Sequence, residues 1–158
     1  MQRNTNFYQS LTYALSGLFY AMRRERNLRF HLAAASGVAL FGFFYGLDRI
    51  EWAILVAVFG TVISSELVNT AVENAVDTAT HDYHPNAKAA KDTAAAAVLV
   101  SAMVSLVTGV CIFSDVGRII YTVKTIVTTP AYIAVFAAVA AADILFLIFG
   151  GIRQNDGK

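Results

Sequence analysis

Glu66, Asn69, Glu73 and Asp77 stand at spacings of three, four and four residues near the end of a long apolar run. At about 100° per residue, four side chains so spaced on a helix fall within roughly 80° of one another. Three carboxyl groups and an amide thus form one stripe, and the stripe begins in a segment suited to lipid. Ionisable groups at membrane depth are costly and point to a site of function. Glu66 lies about four turns into the run, a carboxylate short of water and so suited to act as general base on an alcohol. Glu73, about 10 Å further along the axis, and then Asp77 reach the water boundary. Magnesium takes hard oxygen ligands, usually one or two carboxylates with substrate phosphate oxygens. Glu73 together with Glu25, from an earlier basic segment, supplies such a pair, and Lys91 with Asp92 beside it suits the phosphates of ATP. The alternative is a polar helix–helix contact in which Glu66 pairs with Asn69 or a neighbouring serine, but three carboxylates on one stripe exceed what packing requires.

The elements that position these residues follow from composition. A chain of 158 residues with 57% hydrophobic and only 15% charged residues suits an integral membrane protein of one domain. A net charge of +1 gives no case for nucleic-acid binding. The single cysteine, Cys111, excludes an intramolecular disulfide and argues against a cysteine-ligated zinc site. The polar and aromatic start carries no small-residue cleavage site after a short apolar core, so a cleaved signal peptide is not expected.

From about Thr5 to Arg24, the residues Phe7, Leu11, Leu15, Leu18 and Met22 recur at helical spacing, with Gln9, Thr12, Ser16 and Arg23 on the remaining surface. This predicts an amphipathic helix over about 5–24, lying on the membrane surface. It ends in the basic cluster Arg23 to Arg29, which suits either topological anchoring or direct ligand contact. Four apolar segments follow, at about 31–47, 52–72, 93–113 and 131–151, each near the ~20 residues that cross a bilayer. Residues 48–51 form a tight link, so the first two spans make a helical hairpin. Segment 114–130 is mixed and reads as a second surface helix. Basic residues set the orientation: Arg3, Arg23, Arg24, Arg26, Arg29, Lys88, Lys91, Arg153 and Lys158 fall on one side, against Arg49, Arg118 and Lys124 on the other. The first side is therefore expected to be cytoplasmic, and it carries Glu73, Asp77, the loop from Thr78 to Ala90 and the Lys91-Asp92 pair.

Other polar residues carry less. His81, Asp82, Tyr83 and His84 look like a metal cluster, but neighbouring loop histidines alone do not make one. His31 reads as an interfacial residue, and Asp143, inside the fourth span, has no basic partner in its segment and no functional reading. There is no P-loop, no Rossmann fingerprint and no protein-kinase signature, so ATP would bind without a soluble nucleotide fold.

The run from Glu66 to Glu73, then Asp77, and later Lys91-Asp92 with Ala95 to Val98, resembles the small integral-membrane prokaryotic diacylglycerol kinase family. The segment Glu25 to His31 is similar to the Gram-positive branch, whose members act as undecaprenol kinases. The resemblance covers about residues 6–113. It implies an all-α membrane protein: a surface helix, a three-span kinase core (1–113) assembled as a homotrimer, and here an added C-terminal extension (114–158) with a fourth span. It implies Glu66 as catalytic base and Glu25 and Glu73 as magnesium ligands. Asp77, Asp82, Tyr83, His84, Lys91 and Asp92, with Tyr13 and Gly17 on the surface helix, would join Glu25 and Glu73 around ATP. Asn69 and Ala95 would flank the lipid substrate beside Glu66. Asn6 stands nearest to an early basic position that some members carry.

The sequence is therefore read as an ATP-dependent lipid kinase acting on undecaprenol, or alternatively on diacylglycerol, at the cytoplasmic face of the cell membrane. The rival from another class is a small ion-coupled membrane protein using Glu66 and Asp143 as a proton relay. That rival leaves Glu25, Glu73, Lys91 and Asp92 at one interface without a purpose. Since the motifs end before Phe113, residues 114–158 are expected to be an accessory element on the outside, and a chain ending at Asp115 to retain activity.

Overall fold

The computed structural model describes residues 6–80 and 82–151. Its helices are α1 (Phe7–Arg24), α2 (Arg26–Tyr45), α3 (Arg49–Ala79), α4 (Pro85–Ile112), α5 (Val116–Thr128) and α6 (Pro130–Phe149), and no strand occurs among the described residues. Thr5, His81, Arg3, Arg153 and Lys158, on which the surface-helix start, the loop cluster and part of the orientation argument fell, lie outside the described residues. Helices α2, α3, α4 and α6 are each long and apolar enough to cross a membrane.

The spans are found where the sequence put them, with different ends. Helix α2 begins at Arg26 rather than near 31, because Glu25 alone breaks the helical path, in extended conformation between α1 and α2. Helix α3 has 31 residues, roughly 46 Å at 1.5 Å per residue. It therefore outruns a hydrocarbon core of about 30 Å. Polar residues past the apolar run do not end a helix while no glycine or proline intervenes, so the whole stripe from Glu66 to Asp77 stays on one rigid rod.

The turn between α2 and α3 is fully capped. Gly46 takes the left-handed conformation (φ 75°) at the end of α2, and Leu47 folds back so that its amide donates to the Gly42 carbonyl at 3.1 Å. A Cβ on Gly42 would lie 2.6 Å from Leu47 Cδ1, so any larger residue there would displace the buried Leu47 side chain. Asp48 accepts from the amides of Ile50 and Glu51, and Glu51 accepts from the Asp48 amide, a complete capping box. Buried Tyr45, Leu47 and Leu55 form the main core here, with Phe41, Trp52 and Phe113 packed around them. Prolines sit at the first turn of α4 and α6, where no helical hydrogen bond is lost.

Helix α4 runs back along α3, with Ser65 and Ser101 hydrogen-bonded at 2.8 Å. No residue of α4 or α6 is buried, and Leu99, Met103, Leu106, Val107 and Val110 of α4 are all more than half exposed. Apolar surface on that scale belongs in lipid or against another membrane helix, not in water.

The mixed segment 114–130 forms α5, which docks at the α2–α3 turn. Arg118 donates through Nε to the Tyr45 carbonyl at 2.8 Å and through Nη2 to the Gly46 carbonyl, and its guanidinium lies 4.1 Å from the Tyr45 ring centre. Helix α6 then returns antiparallel to α2. Phe44 packs on Tyr132 and Phe136 at one end, Ser36 donates to Asp143 at 2.6 Å midway, and Gly150 and Gly151 reach Arg29 at the other. Asp143, without a partner in the sequence reading, thus has one on α2.

Candidate active site

The Glu66 side chain projects from α3 toward α2 and is 2% exposed. His31 Nε2 approaches Glu66 Oε1 at 3.2 Å, within ion-pairing reach but without hydrogen-bond geometry, so Oε1 has no hydrogen-bond partner. Thr70, one turn on, is also buried and donates to the Glu66 carbonyl. His31, an interfacial residue by its place in the sequence, is brought by the fold within 3.2 Å of the Glu66 carboxylate. Spacing within one helix cannot report a contact between two, although Leu28, which is fully buried, stands three residues before His31 on the same face.

One turn further along α3, Asn69 donates through Nδ2 to Glu73 Oε1 at 3.0 Å, while its Oδ1 is buried without a partner. Glu25, in the extended elbow between α1 and α2, faces the same region. Burial pushes its carboxyl above the usual range, the charge of Glu73 adds to this, and Arg24 and Arg29 pull the other way. Arg24 Nε lies 3.4 Å from Glu25 Oε1. Two carboxylates that repel each other beside an unused amide oxygen are a set of hard oxygen donors, as magnesium requires. Among the described residues no group of three or more His, Cys, Asp or Glu side chains is disposed to hold a metal.

Beyond the carboxylates, a cleft of about 280 Å³ is lined by Asp77, Asp82, Tyr83, His84, Lys88 and Lys91, with Val76, Thr80 and Ala87. Lys91 pairs with Asp77 across α3 and α4. His84 caps α4, its Nδ1 accepting from the Asn86 amide at 3.2 Å, which fixes the ring at the rim. Asp92 does not join Lys91 here: it pairs with Lys88 one turn back, because consecutive helical residues point about 100° apart. Tyr13 is 53% exposed and Gly17 has open space above it, so α1 presents both outward. Ala95 is likewise exposed on α4. The arrangement thus brings together Glu25, Glu66, Asn69 and Glu73 in one group and Asp77, Asp82, Tyr83, His84 and Lys91 in a second. Asp92 touches the second group through Lys88, and Tyr13, Gly17 and Ala95 do not line its cleft. Lys88 and Asn74, the latter bonded to Tyr20 and Arg24 of α1, were not anticipated.

On the membrane side of Glu66 an apolar groove of about 810 Å³ opens between α2, α3 and α4. It starts at Phe30 and His31, passes Val38, Phe59 and Val62, and ends at Phe113 and Ser114. Its lining on α4, from Ala102 to Val110, runs roughly 12 Å along the helix.

Residues 12–113 match the family described as prokaryotic diacylglycerol kinase. The chain is 47% identical over 107 residues to an undecaprenol kinase of Bacillus subtilis, covering 68% of this chain and 87% of the relative. It is 38% identical over 108 residues to a diacylglycerol kinase of Synechocystis, covering 68% of this chain and 62% of that relative. It is 32% identical over 93 residues to a diacylglycerol kinase of Helicobacter pylori, covering 59% and 73%. No solved structure matches. A carboxylate stripe facing an apolar groove, on a chain of which most is spanned by the match, leads to one assignment: the chain belongs to the prokaryotic diacylglycerol kinase family, the membrane-embedded lipid kinases.

Proposed function

We propose that this membrane protein transfers the γ-phosphoryl group of ATP to the hydroxyl of a lipid alcohol, undecaprenol, at the cytoplasmic face of the membrane. The observation that carries this reading is the buried Glu66 carboxylate, one turn beyond Val62 and 3.2 Å from His31, both of which line the apolar groove, with Glu25 and Glu73 close enough to act on it by charge. A lipid chain in the groove brings its hydroxyl to Glu66. The hydroxyl proton passes to the Glu66 carboxylate as the oxygen attacks the γ-phosphorus, and the bond to ADP breaks on the opposite side. Positioning and charge neutralisation dominate such transfers, so few groups suffice. Glu25 and Glu73 would hold magnesium, which supplies charge neutralisation at the phosphates when bound. Lys91 and Asp77, lining the adjacent cleft with Tyr83 and His84, are positioned for the rest of the nucleotide.

Undecaprenol is favoured over diacylglycerol by the 47% identity to a protein named undecaprenol kinase, along 87% of its length. Assembly as a homotrimer follows from the family resemblance, and the exposed apolar surface of α4 leaves room for a neighbouring membrane helix. The proton-relay rival is disfavoured because Asp143 bonds Ser36 while Glu66 faces His31, so the two acids do not meet. The test is ATP consumption by the purified protein in mixed micelles, with undecaprenol and diacylglycerol compared under identical conditions. Faster phosphorylation of undecaprenol is expected. Preference for diacylglycerol would reverse the substrate assignment, and no turnover on either would sink the kinase reading.

A further inference from the structure

Arg29 is 7% exposed, unusual for an arginine one turn into a helix at a membrane surface. Its Nη1 donates to the carbonyls of Met22 and Arg23 at 3.0 and 3.2 Å, two terminal carbonyls of α1 that no helical amide reaches. One side chain of α2 thus holds the last turn of α1, across the elbow that carries Glu25. The other face of the guanidinium is covered by the end of the extension. A Cβ on Gly151 would stand 3.1 Å from Arg29 Nη2 and 3.4 Å from its Cζ, and one on Gly150 3.0 Å from its Cδ. The Gly150–Gly151 backbone therefore lies close against the Arg29 side chain, and a side chain at Gly151 would press on the guanidinium. Two further contacts hold α6 in this register on α2, the Ser36–Asp143 hydrogen bond and the packing of Phe44 on Tyr132 and Phe136.

We propose that α6 is a positioning element of the site: by sealing Arg29 through Gly150–Gly151, it fixes the elbow and thereby the Glu25 carboxylate opposite Glu73. The functional half of this statement rests on the lipid-kinase reading above; the structural half does not. It also amends the expectation that the extension is merely accessory. The family match ends at Phe113, so this is a device of the added segment.

The experiment uses the full chain in lipid nanodiscs, comparing it with Gly151→Leu, the milder Gly151→Ala, and Arg29→Lys, which keeps the charge but not the two-carbonyl fork. Amide hydrogen exchange is measured over residues 22–30 and over α4 as an internal control, and activity is measured against magnesium concentration at saturating lipid. In Gly151→Leu, exchange at the elbow is expected to rise on the order of tenfold or more, with α4 unchanged, as local opening becomes easier. The magnesium required for half-activity should rise several-fold while the apparent KM for lipid stays, an asymmetry that general loss of stability does not produce. Gly151→Ala should shift both readings in the same direction by less, which preserves the test if the leucine variant folds poorly. Unchanged elbow exchange in both glycine variants would overturn the seal. Faster exchange with unaltered magnesium demand would overturn the positioning role. Failure of the unaltered protein to phosphorylate any lipid alcohol would count against the kinase reading alone, with the exchange comparison still deciding whether the seal exists.

Discussion

The two ends of the helical bundle are built on opposite principles. At the α2–α3 turn every strong group is satisfied: a left-handed glycine and a folded-back leucine close α2, a capping box opens α3, and Arg118 is held by two carbonyls and an aromatic face. At the other end lie Glu66 Oε1, Asn69 Oδ1 and Arg29 Nε, all three buried without a hydrogen-bond partner. A buried unpaired polar atom costs about 1–3 kcal/mol. A fold that concentrates such atoms at one end, while saturating the other, keeps its polar surplus where a phosphate, a cation and a hydroxyl would use it. The difference separates the half of the molecule that makes it stable from the half that makes it reactive.

Five substitutions probe that division, in descending size of effect. Glu66→Gln keeps shape but cannot take the hydroxyl proton, and general-base loss typically costs about 10²–10⁴-fold in turnover. ATP binding and thermal stability should be nearly unchanged, and substantial activity in a folded variant would remove Glu66 from its role. Glu25→Gln or Glu73→Gln should weaken magnesium binding by at least the roughly 10–100-fold that loss of a group merely supporting a metal ligand costs. Titration of activity with magnesium reads this directly, and identical curves for both variants and the parent would put the cation elsewhere. Arg118→Ala belongs to the stable end: it loses charged hydrogen bonds and a stacked ring, about 2 kcal/mol of stability. A lowered unfolding midpoint with normal turnover per folded molecule is expected; a catalytic defect without a stability change would blur the two ends. Ser36→Ala removes the hydrogen bond to Asp143, and helix–helix bonds within bilayers average about 0.6 kcal/mol. A small shift in unfolding midpoint should result, and a drop as large as that for Arg118→Ala would mean that α6 carries more of the fold than its packing indicates.

The sequence disclosed what lies along a single helix and little of what lies between helices. The stripe from Glu66 to Asp77 was legible because one periodicity fixes all its members, and the spans because lipid demands apolar length. The Glu66–His31 approach, the Arg118 clamp and the Arg29 seal were not, since each joins residues from different elements whose facing depends on packing. Lys91 and Asp92 illustrate the limit. Adjacent in sequence, they read as one unit, yet the helix turns Lys91 to Asp77 and Asp92 to Lys88. The ends of α3 were missed for a related reason. Hydropathy reports where lipid stops, whereas the helix continues until its backbone meets a reason to bend.

The antiparallel return of α6 also changes the parity of the chain. A polypeptide leaving the bundle after α4 departs beside the Gly46–Asp48 turn, on the far side from Glu25. With α6 in place, Gly151 emerges against Arg29, on the side where α1 lies. A reporter fused to the C-terminus that works on one side of a membrane only is therefore expected to report the side that α1 faces.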